Sequence, residues 1–73
     1  MIIRINYKSG KPPYMQIAEQ IRHAAASGAI KSGEAIPTIR SLAEKLQVNR
    51  NTVAKAYTEL EREGIIATRV GRG

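Results

Sequence analysis

No cysteine, tryptophan or phenylalanine occurs among the 73 residues, and there is a single histidine. Without cysteine the chain has no disulfide framework and no thiolate metal site. One histidine is too few for a multi-histidine zinc site. Aromatics are limited to three tyrosines, so the core has to be aliphatic. Acid is scarce as well. Six Asp and Glu stand against twelve Lys and Arg, a formal net charge of +6, and the pI is near 10.2. No apolar run approaches the roughly 20 residues that span a bilayer. Arg4 and Lys8 are not followed by the apolar stretch of a signal peptide. A chain of this length forms one domain and buries about 60% of what its unfolded form exposes, which leaves little room for an enzyme pocket. No glycine-rich phosphate loop, nucleophile with base, or carboxylate pair stands out. These absences describe a small, basic, cytoplasmic domain, with no cofactor, metal, membrane segment or enzyme chemistry expected. The charge favours a polyanionic partner.

The pattern along the chain gives the order of elements. Residues 2–6 read Ile-Ile-Arg-Ile-Asn, a short alternation that fits an extended piece, and residues 9–13 form a turn. A first helix is expected from Pro13, a residue tolerated at the first helical position, to a stop at Gly28. Tyr14, Ile17, Ala18, Ile21, Ala24 and Ala25 recur on its inner face, with Gln16, Glu19, Gln20 and His23 opposite. Residues 31–34 are a turn by composition, and Ala35 and Ile36 a minimal strand. Thr38 is placed to cap a second helix over residues 39–46, whose stripe is Ile39, Leu42, Ala43 and Leu46. Residues 47–49 break it. Asn49 then caps a third helix over residues 50–63, with Val53, Ala56, Tyr57 and Leu60 inward and Gly64 as its stop. Residues 65–70 are β-branched and read as a strand, followed by a glycine turn. Tyr7, Tyr14 and Tyr57 are read as core or core-edge residues, and His23 as a solvated one. The fold class this order implies is mainly α with a small β wing: a winged helix-turn-helix, three helices plus a short hairpin, as one domain over residues 1–73.

The third helix separates its faces. Arg50, Asn51, Thr52 and Lys55 lie outward near its start. Such a helix touches base edges with its N-terminal residues: Arg pairs bidentately with guanine, Asn with adenine, and Thr packs on thymine or hydrogen-bonds. The alternative is a solvated helix face. From Arg40 to Lys55 four cations face one acid, a balance of +3, whereas from Glu59 to Glu63 three acids face one Arg, −2. A basic helix start opposes the macrodipole preference, and a phosphate-lined groove supplies a reason for it. The bland expectation for the acidic end is that Glu59 and Glu63 pair along the helix with Arg62, Lys55 or Thr neighbours. Arg40, in the first turn of the second helix after Thr38, can meet a phosphate or a base edge. Gly71 and Arg72 sit in a basic glycine turn that suits a minor groove, or else form a cationic tail.

The residues resemble those of the GntR family of bacterial transcription regulators. Pro13-Tyr14-x-Gln16-Ile17-x-x-Gln20-Ile21 is similar to the family's first helix. Ser27-Gly28-x-Ile30-Lys31-x-Gly33-Glu34-x-Ile36-Pro37-Thr38-x-Arg40-x-Leu42-Ala43 resembles its most recurrent stretch. Val48-Asn49-Arg50-Asn51-Thr52-Val53-x-Lys55-Ala56-Tyr57-x-x-Leu60-Glu61-x-x-Gly64-x-Ile66 resembles its recognition helix, and Arg69-x-Gly71-Arg72-Gly73 its wing. The wording of the third helix is most similar to the short YtrA-type branch.

The resemblance implies a dimeric repressor on double-stranded DNA with a two-fold symmetric operator. Arg40 and Arg50 then match the family's main DNA-contacting arginines. Asn49, Asn51 and Thr52 match its polar contacts, and Gly71 and Arg72 its minor-groove residues. Ala54 stands where many members carry Arg, and Ser32 where Pro is common. Members usually continue beyond this point into a second wing strand and an effector or dimerisation region. The expectation is therefore the DNA-binding half of a longer regulator, a homodimer when complete and a monomer or weak dimer as these 73 residues. Two rivals remain: a winged-helix scaffold for protein interactions, and a nonspecific nucleic-acid binder.

Overall fold

Residues 2–30 and 36–66 are described by the structure, a computed structural model. Helix α1 spans Pro13–Ser27. It starts where Pro12 and Pro13 need no N–H partner and stops where Gly28 turns left-handed, φ 85°. Helix α2 spans Ile39–Leu46, and the Thr38 hydroxyl accepts from the Ser41 N–H at 3.0 Å. Helix α3 spans Arg50–Arg62, with the Asn49 side-chain oxygen accepting from the Asn51 N–H at 2.7 Å. Glu63 is its C-cap, so α3 ends one residue before the pattern indicates.

Helices α2 and α3 end in the same hydrogen-bond pattern. Val48 N–H donates to the Ala43 carbonyl and Gln47 N–H to Glu44; Ile65 N–H donates to Leu60 and Gly64 N–H to Glu61. Both are Schellman motifs, which need one left-handed residue. Gly64 supplies it after α3, φ 77°, and Gln47 after α2, φ 57°. The short turn from α2 to α3 therefore rests on a non-glycine residue in a conformation that costs an L side chain about 1 kcal/mol.

Helix α3 packs against both other helices. Ile17 and Ile21 of α1 and Val53 and Leu60 of α3 expose no surface. They share one cluster with Leu42 and Ala43 of α2. Each such aliphatic side chain contributes about 1.5–3 kcal/mol when fully buried. Tyr57 lies in the same core, and its Oη donates to the Pro37 carbonyl at 2.6 Å. That bond ties the chain just before α2 to the middle of α3. Burial pushes the Tyr57 phenol up to about 12, which keeps it in the donor form at neutral pH.

Residues 2–6, expected as an extended piece, belong to no helix or strand. They are held to α1 by two glutamines one helical turn apart. Gln20 Oε1 accepts from Arg4 N–H and its Nε2 donates to the Arg4 carbonyl, at 3.0 and 2.7 Å. Gln16 repeats the exchange with Asn6, at 2.8 and 3.0 Å, and its Nε2 also lies within bonding distance of Ser9 Oγ and the Lys11 carbonyl. Two side chains thus do what a neighbouring strand would do: each satisfies both polar groups of every second residue. Gln16, expected outward, is consequently buried. Helical spacing shows which residues share a face, not whether a distant segment covers it. Tyr7 also departs from expectation. It is 68% exposed rather than core-edge, on the turn that follows this strap.

The expected wing is only partly within view. Ile65 and Ile66 carry no strand, and the rest of the expected strand and its hairpin lies outside the described residues. The turn at 31–34 and Ala35 also lie outside them, and Ile36 is buried without strand structure.

Candidate nucleic-acid interface

The start of α3 carries most of the residues singled out by sequence. Arg50, Asn51 and Lys55 are exposed and Thr52 is half-buried, while Val53, Ala56, Tyr57 and Leu60 turn to the core. The division follows from the 3.6-residue period: the inward positions recur at three and four residues, which leaves Arg50 and Asn51 on the outer side of the first turn. Exposed Thr58 lies seven residues beyond Asn51, two turns further along the same face. It was not singled out in the sequence, because a lone Thr in an acidic stretch gives no signal without the burial of its neighbours.

Arg40 is exposed in the first turn of α2. Among the described residues neither Arg40 nor Arg50 stands in an ion pair. Thr38 and Asn49 are both engaged as N-caps, so each side-chain oxygen is already used inside the protein. The Asn49 amide N–H groups and the Thr38 hydroxyl proton remain as donors. Gly71 and Arg72 lie outside the described residues.

The acidic end of α3 is tied back to α1. Arg22 reaches Glu63 through Nε and Nη2 at 2.9 and 3.0 Å, an inter-helix pair in place of the expected pairing within α3, where the residues three and four before Glu63 are Leu60 and Glu59. The guanidinium lowers the Glu63 carboxyl below its ordinary range, and the carboxylate raises Arg22 in turn. Both groups are about 40% exposed, so solvent screens the pair and its contribution is small. Its position is the useful information. Tyr14 meets Lys55 at the other end, with the Lys55 ammonium 4.1 Å from the ring centre. Fourteen to 22 and 55 to 63 are equal steps along the two helices, so α1 and α3 run in the same sense, with the start of α1 beside the middle of α3.

An open groove of about 560 Å³ runs along the outer side of α1 past His23, with Ile2 and Ala24 among its walls. It is shallow, and the Glu19 carboxylate on it is held by Lys11 at 2.9 Å. No described helix is long and apolar enough to cross a membrane.

Three helices, with α2 and α3 joined by residues 47–49 and the outer face of α3 basic at its start, define a helix-turn-helix protein. Comparison with known proteins narrows the class. A family model described as "Bacterial regulatory proteins, gntR family" matches residues 13–73. The HTH-type transcriptional repressor YtrA of Bacillus subtilis (strain 168) is 47% identical over 72 residues, which covers 99% of this chain and 55% of that protein. Two solved structures are similar in fold and sequence. One is YtrA from Sulfolobus acidocaldarius, a GntR-family transcription factor: TM-score 0.84, 45% identity, 94% of this chain and 76% of that one. The other is a transcriptional antiterminator from Listeria monocytogenes EGD-e: TM-score 0.89, 44% identity, all of this chain and 55% of that one.

The chain belongs to the GntR family of bacterial regulatory proteins. It carries the helix-turn-helix DNA-binding domain of that family's transcriptional regulators. It spans about half the length of the curated relatives it matches.

Proposed function

We propose that α3 lies in the major groove of duplex DNA and reads sequence with Arg50, Asn51 and Thr52. The carrying observation is the division of charge on α3. Arg50 and Asn51 are exposed at its start, Arg50 in no ion pair among the described residues, while Glu63 at its end is held by Arg22. A helix so arranged presents cations and base-reading groups at its start, with the last of its acids tied back to α1.

In this reading Arg40 takes a base edge or a phosphate at the start of α2. Thr38 and Asn49 hold backbone oxygens with the donors their cap bonds leave over. Lys55 contributes charge beside the groove. Gly71 and Arg72 enter the adjacent minor groove from a wing hairpin, as the basic glycine turn of the sequence suggests. The complete regulator acts in the cytoplasm as a homodimer on a palindromic operator, and its action is repression, as the name of the B. subtilis relative suggests. The described residues expose few large apolar side chains, which favours a monomer or weak dimer of this chain alone.

Selection of duplexes from a random pool tests the reading. The expected result is a palindrome bound at least about a thousandfold more tightly than a scrambled control. Arg50→Ala should then weaken operator binding by about 1–3 kcal/mol and relax preference at one base pair per half-site. With a net charge of +6, purely electrostatic binding is the competing outcome. It would appear as no enrichment, with the two duplexes released together as salt rises.

A further inference from the structure

We infer that Tyr14 is a positioning residue for DNA: its ring stations the Lys55 ammonium against the phosphate backbone beside the groove that α3 occupies. This rests on the reading above and adds a residue to it from α1, outside the helix-turn-helix.

Three cations are fixed on or against α1, and they are fixed in different ways. Lys11 is held by the Glu19 carboxylate and Arg22 by Glu63. Both charges are neutralised inside the protein. Lys55 is held by an aromatic face at 4.1 Å, within the roughly 6 Å reach of a cation–π contact. A ring restrains an ammonium without neutralising it. Among the described residues Lys55 has no carboxylate partner, and it remains exposed. The protein thus spends an aromatic side chain on holding one positive charge in place and leaves that charge available to an outside anion.

The position suits a phosphate. Lys55 lies five residues, about 7.5 Å of helix rise, beyond Arg50. One turn after Asn51 on the same helical face, its side chain reaches across to Tyr14 of α1, which sets the ammonium at the flank of the groove-facing surface. The sugar-phosphate chain borders the groove on that flank. A free lysine loses most of its rotamer freedom when it meets a phosphate. One already seated on Tyr14 has lost part of it beforehand, and the contact is correspondingly tighter.

The test measures binding of the full chain to a random 20-bp duplex and to the selected operator across a salt series. The variants are Tyr14→Phe, Tyr14→Leu, Lys55→Met and the Tyr14→Leu/Lys55→Met double. Lys55→Met should lower the salt slope by about 1 on both duplexes. Tyr14→Leu should weaken both by about two- to fivefold with the slope kept, Tyr14→Phe should behave as wild type, and Tyr14→Leu should add no loss in the Lys55→Met background. A full slope in Lys55→Met overturns the inference. So does an equal Tyr14→Leu loss in both backgrounds, which would make the ring a packing residue only. Lys55→Met alters an exposed side chain, so its slope decides the matter even if Tyr14→Leu fails to fold. A wild-type chain that binds neither duplex at low salt would instead remove the DNA reading itself, and this inference with it.

Discussion

Replacing Gln16 by Leu isolates one buried polar group. Gln16 is 8% exposed and meets Asn6 twice, Ser9 and the Lys11 carbonyl. Leu fills a similar volume and removes every one of these bonds. The backbone groups left behind belong to exposed residues, so water re-solvates them, and each lost bond costs nearer 0.5 than 1.5 kcal/mol. The expected loss is about 2 kcal/mol. A chain of this length has a total stability of roughly 4–11 kcal/mol, so the change is large. It should lower the melting temperature by about 8–16 °C, read by far-ultraviolet circular dichroism. Hydrogen exchange should show the Asn6 amide losing protection together with Arg4, because both belong to one strap. Gln20→Leu, at a half-buried position with fewer bonds to the segment, should cost less. A Gln16→Leu chain as stable as wild type would refute the view that two glutamines replace a strand here.

Gln47→Gly should stabilise the domain by up to about 1 kcal/mol, since it relieves the left-handed strain at φ 57°; chemical denaturation showing a loss would mean that the Gln47 side chain has a partner role. Tyr57→Phe should cost about 1–2 kcal/mol by leaving the Pro37 carbonyl without its donor, and should remove the tyrosine that titrates near 12 in an ultraviolet titration. Because the folded phenol ionises later than the unfolded one, that tyrosine's stabilising effect is present below pH 10 and is lost progressively between about 10 and 12. Glu63 works in the opposite sense. Its folded carboxyl is lowered by Arg22, so its stabilising effect is present above the unfolded carboxyl range and disappears as pH falls through the folded value. Glu63→Gln should flatten the acid limb of a pH–stability curve slightly.

The elements were legible in the sequence because their signals are local. Pro13 and Gly28 bound α1, Thr38 caps α2 and Asn49 caps α3, and each of these depends on the conformation of a few consecutive residues. The three-residue break between α2 and α3 and the inward stripe of α3 are local in the same way, and with them the surface that bears Arg50 and Asn51. Charge and residue types pointed from the helices towards DNA, and the resemblance to a family singled that reading out from a solvated helix face.

The sequence by itself thus determined the helices, their order, their inner faces and the basic start of α3, because caps and 3.6-residue periodicity act within one segment. Only the tertiary structure decided what lies against each outer face. Gln16 became a buried anchor because residues 2–11 fold back over α1. Glu63 found Arg22, and Lys55 found Tyr14, because α1 and α3 run side by side in the same sense. Those pairings join residues 41 apart in sequence, 63 to 22 and 55 to 14. No helical period links positions at that distance, and only the packing of one helix against another brings them together.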